Sequence, residues 1–261
     1  SDQTGSSTCG LTQVTLAGND PGVGTGSWSV VSGSGGSFGN ASSYNSTFDG
    51  VAGSSYTLRW TVSNSPCTAS TDDVDVTFNQ NPTTSAAGSD QTGSSTCGLT
   101  QVTLAGNDPG VGTGAWSIVS GSGGSFGNAS SYNSTFDGVA GSSYTLRWTT
   151  TNSPCTSTDD VDVTFNQNPT TSAAGSDQTG SSTCGLTQVT LAGNDPGVGT
   201  GSWSVVSGSG GSFGNASSYN STFDGVAGSS YTLRWTVSNS PCTASTDDVD
   251  VTFNQNPTTS A

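Results

Sequence analysis

Tyr56-Thr57-Leu58-Arg59-Trp60-Thr61-Val62 places an apolar residue at every second position and a polar one between. Successive side chains of an extended strand point to opposite faces, so this is the text of a strand buried on one side only. Val74, Val76 and Phe78 alternate in the same way with Asp73, Asp75 and Thr77. Val14 and Leu16 do so with Gln13 and Thr15. No stretch carries a helical period, and the alternating positions favour β-branched and aromatic side chains. The expected fold is all-β.

Turn-forming text separates these runs: Gly18-Asn19-Asp20-Pro21-Gly22, Gly33-Ser34-Gly35-Gly36, Asp49-Gly50 and Asn79-Gln80-Asn81-Pro82. Roughly seven short strands with a turn about every ten residues predict an immunoglobulin-like two-sheet sandwich. Its expected core is Val14, Leu16, Trp28, Val30, Phe48, Tyr56, Leu58, Trp60, Val74, Val76 and Phe78. A core of this size is thin, so a covalent staple is expected.

The whole unit recurs. Ser1-Asp2-Gln3-Thr4-Gly5 reappears at Ser89 and at Ser176, and Ser176–Ala261 repeats Ser1–Ala86 without a change. The middle copy has Ala115 for Ser27, Ile118 for Val30, Thr150 and Thr151 for Val62 and Ser63, and no counterpart of Ala69. A period of this length matches one sandwich domain and exceeds a solenoid repeat. We therefore expect domains at 1–81 (its first strand truncated), 82–168 and 169–256, with 257–261 opening a further repeat. The phase of the repeats reads as a window onto a longer array.

The chain has a net charge of −15, from three arginines against eighteen aspartates, and it lacks lysine, histidine, methionine and glutamate. Nucleic-acid and anionic-membrane partners need a basic face, so neither is expected. No apolar run approaches a membrane span, so no membrane insertion is expected in this segment. Without lysine, the isopeptide bonds that staple many fibre domains cannot form.

Each repeat has two cysteines: Cys9 and Cys67, Cys97 and Cys155, Cys184 and Cys242. Their spacing is not that of a zinc or redox motif. Pairing within each repeat is the simplest reading and would contribute about 4 kcal/mol by loop closure. The alternative is a bridge across the linker, such as Cys67 to Cys97, which leaves Cys9 unpaired. Either way the compartment is oxidising and the protein extracellular, whether surface-attached or secreted.

Candidate chemistry is sparse. Asp72, Asp73 and Asp75 are the only carboxylates close enough in sequence to suggest an acid–base pair. An outward-facing strand that pairs Arg59 with Asp73 or Asp75 accounts for them without catalysis, and no enzyme is expected. Asp2, Asn19, Asp20 and Asp49 offer oxygen ligands of a hardness that suits calcium, although Asn-Asp-Pro-Gly also makes an ordinary turn. No other cofactor is expected. Asn40, Asn45, Asn128, Asn133, Asn215 and Asn220 head N-glycosylation sequons, of a kind that chance supplies in so Ser/Thr-rich a text.

Two stretches resemble a known family. Pro82-Thr83-Thr84-Ser85-Ala86-Ala87-Gly88-Ser89-Asp90-Gln91-Thr92 resembles the opening of PKD (polycystic kidney disease) domains, and Tyr56 through Asn64 resembles their late strand. Gly26-Ser27-Trp28-Ser29-Val30 through Pro66-Cys67 is similar to cysteine-containing PKD-like repeats of large bacterial surface adhesins, of the Bacteroidota type. The family's tryptophan motif is missing: the region reads Trp28-Ser29-Val30-Val31-Ser32-Gly33. Cys67 also falls after the late strand, and Tyr56 lies eleven residues before it, so the bridge is expected near one pole of the sandwich. The resemblance implies an extracellular sandwich module used as a spacer or adhesin body.

The expected function is therefore structural: a stalk or filament at the cell surface whose partner is itself, through neighbouring repeats. The runner-up is an adhesin module in which loops such as 33–44, with Tyr44, recognise cell-surface glycans. Pro257–Ala261 would, in a self-contained subunit, complete the first domain of the next chain.

Overall fold

The computed structural model describes residues 1–258. The first repeat forms β1 (Gln13–Thr15), β2 (Thr25–Ser32), β3 (Ser37–Phe38), β4 (Thr47–Asp49), β5 (Ser55–Ser63) and β6 (Ser70–Thr77). These make two antiparallel sheets, ordered β1-β4-β3 and β2-β5-β6. Six strands thus form the ladders, and the seventh expected element shrinks to a one-residue parallel bridge from Gln3 to Val76 on β6.

The second repeat follows the same plan with β7 (Gln101–Thr103), β8 (Thr113–Ser120), β9 (Ser125–Phe126), β10 (Thr135–Asp137), β11 (Ser143–Asn152) and β12 (Cys155–Thr164). The third does so with β13 (Gln188–Thr190), β14 (Thr200–Ser207), β15 (Ser212–Phe213), β16 (Thr222–Asp224), β17 (Ser230–Ser238) and β18 (Ser245–Thr252). Each repeat closes its own core.

The alternation in β5 decides the packing. Tyr56, Leu58 and Trp60 are buried, and Trp60 faces Trp28 across the ladder with ring centroids 5.0 Å apart. The aromatic chain runs on through Phe38, Phe48, Tyr56 and Phe78 at 5.0–6.4 Å between centroids. Buried aromatics remove more apolar area per residue than aliphatics do. That offsets the thinness anticipated from composition. The Tyr56 hydroxyl accepts the Val51 N–H and donates to the Ser34 carbonyl, tying two loops to the core.

Two expected core residues are not fully buried. Val30 is 40% exposed: it sits on the edge strand β2, beside a register shift between Val30 and Ser32, where the shorter facing sheet does not cover it. Val74 is only half-buried, whereas its counterparts Val161 and Val249 are 2% exposed. The linker that precedes repeats 2 and 3 makes the difference, as the junctions show.

Candidate functional site at the junctions between repeats

Cys9 bonds to Cys155 and Cys97 to Cys242. Each bridge joins the first cysteine of one repeat to the second cysteine of the next. The within-repeat pairing expected from the sequence is thus overturned, and with it the reading of one staple per domain. The Cys67–Cys97 alternative is not formed either.

The reason is polarity. Cys9 ends the short 3₁₀ turn Gly5–Thr8, which is held against the end of β6: the Gly10 N–H donates to the Asn79 carbonyl, and the Asn79 side chain donates to the Gly5 carbonyl. Cys67 lies in the turn between β5 and β6, at the opposite pole. The length of β6 separates them, about 25–30 Å at the rise of a strand, far beyond the reach of a disulfide. The downstream pole of one repeat meets the upstream pole of the next, and there Cys9 finds Cys155 with Cα atoms 5.8 Å apart. The expectation of a bridge near a pole agrees with this placement, although the partner is a neighbour.

Cys67 and Cys184 are the free thiols among the described residues. Cys67 holds the position that Cys155 and Cys242 hold in their repeats, and Cys184 that of Cys9 and Cys97.

The linker is equally part of the junction. Asn152, at the end of β11, donates to the Gln80 carbonyl, and Asn239 repeats this on Gln167. The Thr83 N–H then donates to the Val111 carbonyl, while the Val111 N–H donates back to the Thr83 hydroxyl. Ser85 is buried; its N–H donates to the Ser157 hydroxyl and its own hydroxyl to the Ser157 carbonyl. Asn107 clamps the next residues, accepting the Ala86 N–H and donating to the Thr84 carbonyl. Ala87 is buried and donates its N–H to Asp159 at 2.7 Å. Repeat 3 reproduces the contacts with Ser172 on Ser245, Ala173 on Asn194 and Ala174 on Asp247. The segment after Pro82 therefore closes the open side of the following sandwich.

On repeat 1 the corresponding position is a cavity of about 210 Å³, lined by Asn19, Trp28, Trp60, Asp72 and Val74 among others. This is why Val74 is half-exposed where Val161 and Val249 are covered.

The remaining sequence candidates are dispersed. Arg59 donates from Nε and Nη2 to the two Asp73 oxygens at 2.7 and 2.8 Å. The guanidinium's hydrogen bonds hold the Asp73 carboxyl below the usual carboxylate range and raise Arg59. Arg147–Asp160 and Arg234–Asp248 match it. Asp75 instead accepts from the Thr57 hydroxyl, and its N–H donates to Asp2. Asp72 points to the other side of β6 from Asp73 and lines the groove, so no carboxylate pair forms.

Of the calcium candidates, Asp49 accepts from the Gln13 amide and Asp20 from the Gly22 N–H in its own turn, and the Asn19 amide leans on the Asp20 carbonyl. Asp2 is with Asp75. No cluster of three or more metal-ligating side chains occurs among the described residues. Asn40, Asn45, Asn128, Asn133, Asn215 and Asn220 are all exposed; Asn40 accepts the Ser42 N–H and Asn45 the Ser43 hydroxyl. No described helix is long and apolar enough to cross a membrane.

No family model matches the sequence, and no curated protein matches it. Among solved structures, the insect immune protein hemolin overlaps 77% of this chain and 56% of its own at 12% identity, with a TM-score of 0.41. Extracellular domains 3–5 of Drosophila OTK overlap 82% of this chain and 76% of theirs at 10% identity and a TM-score of 0.40. Human CDH23 EC21-23 overlaps 96% of this chain and 100% of its own at 13% identity, with a TM-score of 0.35. Overlaps this loose carry no correspondence of residues.

Proposed function

We propose that this chain is a stretch of an extracellular structural array, a stalk or filament whose junctions are locked covalently. The observation that carries the reading is the pair of bridges Cys9–Cys155 and Cys97–Cys242, each spanning a boundary between repeats. A disulfide that crosses a boundary adds nothing to the topology of either sandwich; it fixes one repeat relative to the next. The buried linker acts in the same sense. Two bonded sulfurs per junction suit an oxidising, extracellular setting. The PKD-like text agrees with a repeat of a bacterial surface protein, and the acidic surface keeps near-identical neighbours from aggregating. We read no catalytic role.

Negative-stain microscopy with small-angle scattering tests this on the chain as it stands. The oxidised chain should be a rod of roughly 100 Å, three sandwiches end to end, with a narrow spread of end-to-end distances. Reduction and alkylation should broaden that spread. An oxidised chain as flexible as the reduced one would count against the stalk.

A second reading, glycan recognition, is favoured by Tyr44, Tyr132 and Tyr219, which stand 39–40% exposed at the same place in each repeat. Repetition would then give avidity. Binding on a glycan array that disappears when the three tyrosines become alanine would support it.

A further inference from the structure

We infer that each repeat carries a pocket for an uncharged sugar unit on the outer face of its β2-β5-β6 sheet or that sheet's counterpart. The pocket is distinct from the Tyr44 position and does not depend on the stalk, so the three stand or fall on separate measurements.

The pocket recurs in all three repeats with the same lining and a volume of about 280–290 Å³. It forms where strands part. Ser55 and Thr57 alternate with the buried Tyr56 and Leu58, so they point away from the core. Past the register shift between Val30 and Ser32 the chain leaves β5 at Gly33, whose φ of 101° turns it away, and Ser55 has no partner on that side. On the other side Asp75 and Thr77 of β6 make the wall, and the bridge from Gln3 to Val76 sets Thr4 beside them.

These groups converge with hydrogen-bonding capacity to spare. The Thr57 hydroxyl donates to one Asp75 oxygen at 2.9 Å, and Ser55 and Thr77 share one bond at 3.0 Å. Among the described residues the other Asp75 oxygen and the hydroxyls of Thr4 and Ser32 have no partner, and the arrangement repeats around Asp162 and Asp250. A carboxylate oxygen that accepts, ringed by hydroxyls that donate and accept, matches the neighbouring hydroxyls of a sugar. The carboxylate repels an anion, and the one guanidinium of the repeat, Arg59, is held by Asp73. A divalent cation calls for more ligating charge than the single carboxylate of this lining. Tyr56 is buried beneath and offers no face for stacking, so each pocket binds weakly and three on one chain add avidity.

Affinity electrophoresis of the oxidised chain through gels containing mannan, dextran, xylan or laminarin tests the pocket, with alginate as the acidic counterpart. At least one neutral polysaccharide should retard the chain, and alginate should not. Asp75→Asn, Asp162→Asn and Asp250→Asn together keep the side-chain size and an acceptor for Thr57, but turn the free acceptor into a donor. Retardation should then fall several-fold at an unchanged urea midpoint, with single and double replacements in between. If the midpoint falls too, Ser32→Ala with Ser120→Ala and Ser207→Ala gives the same readout, since those hydroxyls hold no protein partner among the described residues. No retardation by any neutral polysaccharide, or equal retardation by alginate, would overturn the proposal. So would retardation that survives both pocket variants and disappears when Tyr44, Tyr132 and Tyr219 become alanine, which would move recognition to the tyrosines.

Discussion

At the scale of single residues, the tightest constraint is a missing Cβ. A methyl group on Gly114 of β8 would run into the ring of Trp148, which is fully buried, and Gly26 and Gly201 stand in the same relation to Trp60 and Trp235. The ring has nowhere to go within the aromatic stack. Gly114→Ala should therefore destabilise the chain by about 1–3 kcal/mol, the cost of overpacking, read from urea denaturation. The ion pairs work at a lower level, since Arg59 and Asp73 are each more than 40% exposed and screened by solvent. Their contribution still has a direction in pH. Asp73, Asp160 and Asp248 are held below their ordinary value by arginine hydrogen bonds. The resulting stability is fully present above the unfolded carboxylate value of about 4 and disappears as pH falls through the lower folded values. Replacing Arg59, Arg147 and Arg234 with glutamine should remove that component. Between about pH 6 and pH 2.5 the urea midpoint of the parent should fall by more than that of the triple variant. Parallel curves would show that the pairs are idle. The alternation of Tyr56, Leu58 and Trp60 made the inward face legible from sequence, because strand period alone sorts side chains by face. Gly114 was not legible, since its meaning depends on which ring crosses it from the next strand.

At the scale of elements, the informative contrast is Val74 against Val161 and Val249. All three share one sequence context, yet only the latter two are covered, because cover comes from a segment more than seventy residues earlier in the chain. Local pattern carries no information about such a partner. The linker had the look of a connector, with proline and small residues, and the structure uses it as an edge of the next sandwich. Asn107 holds it with both ends of one amide, so Asn107→Ala leaves the Ala86 N–H and the Thr84 carbonyl without those partners. The expected cost is about 1–3 kcal/mol, confined to the linker. Amide hydrogen exchange should speed up at residues 84–87 while the β11–β12 ladder stays protected. Equal loosening of both would mean that linker and sandwich open as one unit. Val161→Ala should behave oppositely, weakening the sandwich itself by a core-cavity penalty.

At the scale of the molecule, the connectivity of the cysteines decides how the chain carries load. Spacing could suggest a bridge but not its partners, because only the fold shows that Cys9 and Cys67 sit at opposite poles. The loops closed by Cys9–Cys155 and Cys97–Cys242 overlap, since Cys97 lies inside the first and Cys155 inside the second. Pulled from its ends, an oxidised chain has a short covalent route. It runs from Ser1 to Cys9, crosses to Cys155, returns to Cys97, crosses to Cys242 and continues to Ala261. That route holds about a third of the residues, so the fully stretched length should be about a third of the reduced chain's, at 3.3–3.6 Å per residue. Bridges confined to single repeats would shorten each repeat separately and leave every linker in the path. Single-molecule force spectroscopy distinguishes the cases. Under reducing conditions three unfolding events of nearly equal contour gain are expected, one per sandwich. Under oxidising conditions the total gain should collapse to a fraction of that, and Cys9→Ser with Cys155→Ser should restore part of it. Cys67→Ser should leave the trace unchanged, because in a single chain that thiol closes no loop. Bridges within the repeats would shorten the oxidised chain by nearly the same total, so the variant decides: a clear lengthening of the oxidised trace in Cys67→Ser would refute the overlapping connectivity and return the staples to the individual repeats.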